Sequence, residues 1–194
     1  YTYTRGNPLR FTDPTGQYEE DVHSDLTTAL AKAAGFSPDQ AAAIGGADQG
    51  TDEDPATEPF ASVGARINFH FTTEARRAEM WGAFEASGEP KALGQFLHAE
   101  QDSYSHAGFG PRAGHASAGH APDKTYNDPA KAYRMAQSTY RSLVRGAARM
   151  GVSASARTPW SKVSASVNKF NRAKTEAEKA RIIAKLREDV GGPK

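Results

Sequence analysis

From Asp21 onward, apolar side chains recur every three or four residues and almost nothing alternates, which restricts the chain to helices. Val22, Leu26, Ala29, Leu30 and Ala33 share one face over residues 21–34, and Gly35 stands where a C-terminal capping glycine belongs. Ser37-Pro38-Asp39 is an N-cap followed by proline at the first helical position, opening an Ala-rich helix to about residue 47. Residues 45–65, rich in Gly, Asp, Pro and Thr, read as loop, as do residues 107–128. Further helices are expected over about 72–86, 89–105, 129–150, 159–171 and 175–189; the last has Thr175 as N-cap with Glu178 three residues on. No repeat of 20–50 residues is present. With 194 residues and 38% hydrophobic side chains there is material for one core. The expected fold class is an all-α multi-helix bundle with long loops.

The chain has no cysteine, which excludes disulfides, thiolate metal sites and cysteine nucleophiles. Any metal must be held by His, Asp, Glu, Asn or backbone groups. No apolar run approaches the roughly 20 residues a membrane helix needs. The first residue is Tyr rather than Met, with no leader after it, so a piece of a longer chain or a processed product is expected, its localisation signal lying elsewhere. The formal charge of +1 conceals an asymmetry: residues 1–130 carry 9 Lys and Arg against 19 Asp and Glu, and residues 131–194 carry 15 against 4. Two explanations stand: a basic helical face folding back on an acidic half, or a surface for anionic phospholipid or nucleic acid.

The histidines carry the chemical signal. His98, Asp102 and His106 recur at four-residue steps, each about 40° from alignment, so they share one helix face. Two ligands four residues apart can hold one metal, but eight residues rise about 12 Å, too far for a single ion. Either one histidine is idle, or more than one metal is present with Asp102 between them, since a carboxylate can bridge two cations. Imidazole and carboxylate together suit zinc. By itself such a pair is also an ordinary helix contact. His23 flanked by Asp21 and Asp25, the acidic loop with Asp48, Asp52 and Asp54, His70 opening the third helix, and His115, His120 and Asp123 in a Gly-rich loop enlarge the candidate set. Ligands spread over several helices and loops are how clustered metal sites are built in bundles. Glu100 lies about 200° round the helix from His98 and is expected at solvent or in the layer behind the ligands.

Two resemblances follow. The segment Asn7-Pro-Leu-Arg-Phe-Thr-Asp-Pro-Thr-Gly-Gln17 resembles the end of the RHS (YD-repeat) associated core domain, with Gln17 in place of the customary Leu. The resemblance implies that residues 1–17 are the tail of that core domain, with Asp13 taking part in self-cleavage just after the motif. Residues 18–194 would then be an antibacterial toxin domain, secreted or delivered into a target cell as part of a larger protein. Its implied partners are the RHS repeat shell and a cognate immunity protein.

Residues 20–150 resemble the zinc-dependent phospholipase C superfamily, which also holds zinc single-strand nucleases and HET-C-like proteins. The likeness rests on Asp21-Val-His23, Ala47-Asp-Gln-Gly-Thr-Asp-Glu53, Asn68-Phe-His70, Leu97-His-Ala-Glu-Gln-Asp-Ser-Tyr-Ser-His106 and Gly119-His-Ala-Pro-Asp123. It implies that His70, His98 and Asp102 hold one zinc with Asp48 or Asp52. Asp102 would also face a second held by His23, and His106, His120 and Asp123 would hold another. In several members five residues separate the aspartate from the next histidine; here three do, as in HET-C-like proteins. The usual terminal-amine ligand is missing, because a segment precedes His23. Two zinc ions are therefore expected, three at most. Asp48 and Asp52 are also the candidates for orienting an attacking water. The implied activity is phospholipase C-type hydrolysis of phosphodiesters at a phospholipid membrane surface. A zinc nuclease acting on nucleic acid is the alternative on the same scaffold, and a metal-stabilised adhesion or pore module without turnover is the third possibility.

Overall fold

The computed structural model describes residues 20–110 and 121–191, and within them the chain is helices and connections only, an all-α multi-helix bundle. A π-helical stretch, Asp21–Leu26, runs directly into α1 (Thr27–Ala33). Then come α2 (Pro38–Glu53), the short α3 (Val63–Ala65) with a second π-helical stretch, Arg66–His70, and α4 (Glu74–Ser87). The bundle closes with α5 (Pro90–Ser105), α6 (Pro129–Arg149), α7 (Trp160–Phe170) and α8 (Glu176–Gly191). None of these helices is long and apolar enough to cross a membrane.

The caps act as the residues predict. Ser37 Oγ accepts from Gln40 N at 3.2 Å while Gln40 Oε1 accepts from Ser37 N at 3.1 Å, a reciprocal capping box. Thr175 Oγ1 accepts from Glu178 N at 3.2 Å. Gly35 has φ +102°, the left-handed region that ends a helix at little cost for glycine. The core gathers Leu26, Leu30, Ile44, Phe84, Leu93, Leu97, Met135, Leu143, Phe170 and Ile183, all fully buried. α5 lies against α2, α4 and α6, so it is sheltered on several sides.

Two expectations need correction. Residues 48–53 are not loop: α2 continues to Glu53 and carries Asp48 and Asp52 on successive turns. Of the glycines that spoke against helix there, Gly45 serves packing, while Gly46 and Gly50 face open space. A Cβ on Gly45 would stand 2.2 Å from Thr28 Oγ1, and one on Gly94 of α5 would stand 2.5 Å from the Ile44 carbonyl oxygen. The propensity cost of about 1 kcal/mol per glycine is outweighed by this close approach of α2 to α1 and α5. His70, expected to open a helix, closes the second π-helical stretch instead, and Thr73 caps α4 after it. Gly94→Ala would have to push α5 off α2, because the obstructing atoms include backbone. We expect it to cost about 1–3 kcal/mol by denaturant titration and to weaken metal binding in parallel.

The charge asymmetry is met in part by folding back. Arg187 and Asp25 pair at 2.8 Å, Arg145 and Glu85 at 2.8 Å, and the buried Lys179 pairs with Asp21. Glu100 is not at solvent: Ser138 and Ser142 of α6 donate to its Oε1 at 3.1 Å each, and burial raises its pKa.

Candidate metal centre

The π-helical stretch before α1 supplies His23, α2 supplies Asp48 and Asp52, the second π-helical stretch supplies His70, and α5 supplies His98 and Asp102. On α2 and on α5 the two ligand-type residues are four apart, which stacks them on one face. Those faces meet where Gly94 lets the helices touch. Both outlying histidines sit on π-helical turns, a local widening common at functional sites. His23, Asp48, His70, His98 and Asp102 are fully buried, and the Asp52 side chain is 8% exposed.

One set of atoms is tight. His70 Nδ1 and His98 Nε2 lie 3.0 Å apart. Asp52 Oδ1 is 3.6 and 3.4 Å from these nitrogens, and Asp102 Oδ2 is 3.2 and 3.3 Å from them. Ligands on bonds of 2.0–2.1 Å around a tetrahedral cation lie about 3.3–3.4 Å apart, so the Asp52, His70 and His98 atoms are spaced to share one divalent cation, with Asp102 Oδ2 beside the two imidazoles. The other oxygens of the same carboxylates turn to a third imidazole: His23 Nε2 is 3.6 Å from Asp102 Oδ1 and 3.9 Å from Asp52 Oδ2. Asp52 and Asp102 thus each turn one oxygen toward the His70/His98 pair and the other toward His23, whose ring itself lies 4.3 Å from that of His98.

Electrostatics agree with a place for positive charge. Asp52 Oδ1 and Asp102 Oδ1 are buried and accept no hydrogen bond from the protein, an expensive condition for a carboxylate. Burial pushes Asp52 up to about 6 against the pull of His98 and His23. Burial would also raise Asp102, but His98 and His106 hold it well below the ordinary carboxylate range, helped by hydrogen bonds from His70 and His98. Burial would depress His98, yet Asp52 and Asp102 hold it well above the usual imidazole value. Without a metal, a proton on His98 supplies the positive charge.

The buried His/Asp groups can therefore hold a metal ion, either at Asp52, His70 and His98 or at His23, Asp48 and His98. Asp48 stands behind the tight set, with Oδ1 2.9 Å from His23 Nδ1 and 3.4 Å from His98 Nδ1. His106, at the end of α5, lies at the edge. Its Nδ1 is 4.0 Å from Asp102 Oδ2 and donates to the His70 carbonyl at 2.8 Å, while its ring stacks on Phe71. Asp123 is buried at 1% exposure. His120, which the phospholipase likeness pairs with it, and Asp13 lie outside the described residues. Sequence reasoning passed over Thr27, Gln101 and the Thr57 carbonyl, which accepts from His70 Nε2 at 2.8 Å. Thr27 is four residues after His23 and Gln101 adjoins Asp102, so helical spacing could have found those two; Thr57 had no such signal. No family model, curated protein or solved structure matches this chain.

Proposed function

We propose that the chain is a zinc-dependent phosphodiesterase of the phospholipase C type, acting as the toxin domain of an RHS-repeat protein. The observation that carries this reading is the buried Asp52, His70 and His98 group at ligand spacing, joined by Asp102, with both carboxylates also facing His23. His70, His98, Asp52 and Asp102 would hold one zinc; His23, with the remaining oxygens of Asp52 and Asp102, would hold another. Bound zinc supplies a Lewis acid for phosphodiester oxygens and an acidified water near neutral pH. The chain does the rest. Asp102 sets the spacing between the two ligand groups, the His70 Nε2–H is tied to the Thr57 carbonyl so that Nδ1 faces the centre, and His106 braces the His70 backbone. The surrounding helices keep bulk water from the ligands.

Two observations favour phospholipid over nucleic acid. The large hydrophobic side chains exposed among the described residues are Phe60, Val63 and Ile67, all on the segment that ends at His70. Exposed apolar side chains of that kind suit contact with a lipid surface. In addition, Arg145, Lys179 and Arg187 of the basic third are engaged by acids of the other half.

The test is hydrolysis of phosphatidylcholine and phosphatidylethanolamine vesicles beside single- and double-stranded nucleic acid, with and without chelator, together with elemental analysis. We expect about two zinc per chain and chelator-sensitive head-group release. Less than about half an equivalent of any transition metal, in protein never exposed to chelator, overturns the metal reading. Zinc-dependent nucleic acid cleavage without lipid turnover transfers the assignment to the nuclease. Turnover of neither leaves the adhesion or pore module. A chain beginning at Tyr18 is expected to keep full activity, because the residues before it resemble the repeat shell rather than the toxin.

A further inference from the structure

His23 could hold a metal through either of its ring nitrogens, and the two choices place the ion on opposite sides of the imidazole. An ion among His23, Asp48 and His98 would bind the Nδ1 atoms, which are the ring nitrogens nearest Asp48 Oδ1. An ion held with Asp102 and Asp52 would bind His23 through Nε2. A buried chain of hydrogen bonds decides between them.

The Thr27 hydroxyl donates to Asp48 Oδ2 at 2.8 Å, with the Val22 carbonyl a longer acceptor at 3.2 Å. With its proton committed, Thr27 Oγ1 accepts from the Gln101 amide nitrogen at 2.8 Å. That orients the amide with Oε1 toward His23 Nδ1, 2.8 Å away. An amide oxygen is an acceptor, and so is the Asp48 Oδ1 that lies 2.9 Å from the same nitrogen. His23 must therefore carry a proton on Nδ1, which leaves the Nε2 lone pair for the metal.

We infer that Asp48 is a positioning residue rather than a metal ligand: with Thr27 and Gln101 it fixes His23 as an Nε2 ligand. Both of its oxygens are engaged before any metal arrives. All four residues of the relay are at most 1% exposed, so water does not compete for these bonds. The inference rests on the proposed metal centre, but it can fail while that centre stands.

The experiment uses the full chain loaded with zinc alone, and no substrate. Nitrogen-15 NMR of the histidine rings should show His23 with a hydrogen-bonded, slowly exchanging proton on Nδ1 and the metal shift on Nε2. His70 should show the reverse, with its proton on Nε2. Thr27→Val, of nearly the same shape, removes the middle of the relay. It should keep metal stoichiometry at saturating zinc but lower affinity by about 10-fold, and Asp48→Ala by about 10–100-fold, measured by competition with a chromophoric chelator. Asp48→Asn retains an acceptor for His23 and should recover part of that loss. Wild-type His23 with its proton on Nε2 overturns the inference, whatever the variants do. So does loss of one whole equivalent of zinc in Asp48→Asn at saturation, which would make Asp48 a ligand. Wild-type protein that binds no zinc at all sinks the proposed metal centre instead.

Discussion

Asp102→Asn is expected to abolish the proposed phosphodiester hydrolysis while the protein stays helical by circular dichroism. The substitution keeps the shape of a fully buried side chain and removes its charge. Asp102 faces both ligand groups, with Oδ2 toward His70 and His98 and Oδ1 toward His23. An amide in that place offers one oxygen, and its NH2 group must point at one of the two positions, where it repels a cation. The loss should therefore exceed the roughly 10–100-fold typical of residues that only support a ligand, and zinc content should fall with it. His115→Ala, in the stretch outside the described residues, is expected to do far less. Equal losses in kcat/KM from both substitutions would mean that the ligands have been misassigned.

The second large effect concerns stability, pH and metal together. In the metal-free protein, His98 is held well above the ordinary imidazole value. Its contribution is fully present below that ordinary value and is lost as pH rises through the raised one. Asp52, pushed up to about 6, acts in the same direction: it is tolerated while protonated, and stability falls as it ionises. Asp102, held well below the usual range, has the opposite sign, but its contribution is lost only in strong acid. The metal-free fold should thus weaken from about pH 4 through neutrality. Zinc needs the deprotonated ligands, so its stabilisation grows over the same window. At free zinc about 100 times Kd, two sites contribute about 5 kcal/mol, which for a chain of this size raises Tm by about 10–20 °C. Thermal unfolding at about pH 5 and about pH 8, with zinc or with EDTA, should show the gap widening toward alkaline pH. A gap that is constant, or that narrows, would count against ligation by this cluster.

The helical spacing of apolar residues, the capping signals at Ser37 and Thr175 and the absence of alternation were enough to determine an all-α bundle, because each is a local property of the chain. The candidate site was legible in kind for the same reason. His98 and Asp102 lie one turn apart on any helix, and their shared face follows from the 3.6-residue period alone. What spacing could not show was which groups meet that face. Asp48 and Asp52 lie in a stretch whose three glycines lower helix propensity; only the tertiary contacts of Gly45 with α1, and of Gly94 on α5 with α2, show why a helix packs there all the same.

The π-helical turns at His23 and His70 have no compositional signature. An extra residue in a turn is stabilised by what the turn packs against, and those partners are distant in sequence. Glu100 illustrates the same limit: a helical wheel gives its direction, but whether that direction meets water or the hydroxyls of Ser138 and Ser142 depends on where α6 packs. The roles of the two α2 aspartates were also decided by tertiary structure. They are four residues apart on one helix with identical side chains, yet Asp52 faces the ligand nitrogens of His70 and His98 while Asp48 is engaged by Thr27 and the far side of His23. By itself the sequence determined the helices, the residue types of the centre and one shared face, because these depend on neighbours within a turn or two. Only the tertiary structure decided which oxygen meets which nitrogen, because donor and acceptor roles are set by groups up to 78 residues apart, as for His23 and Gln101.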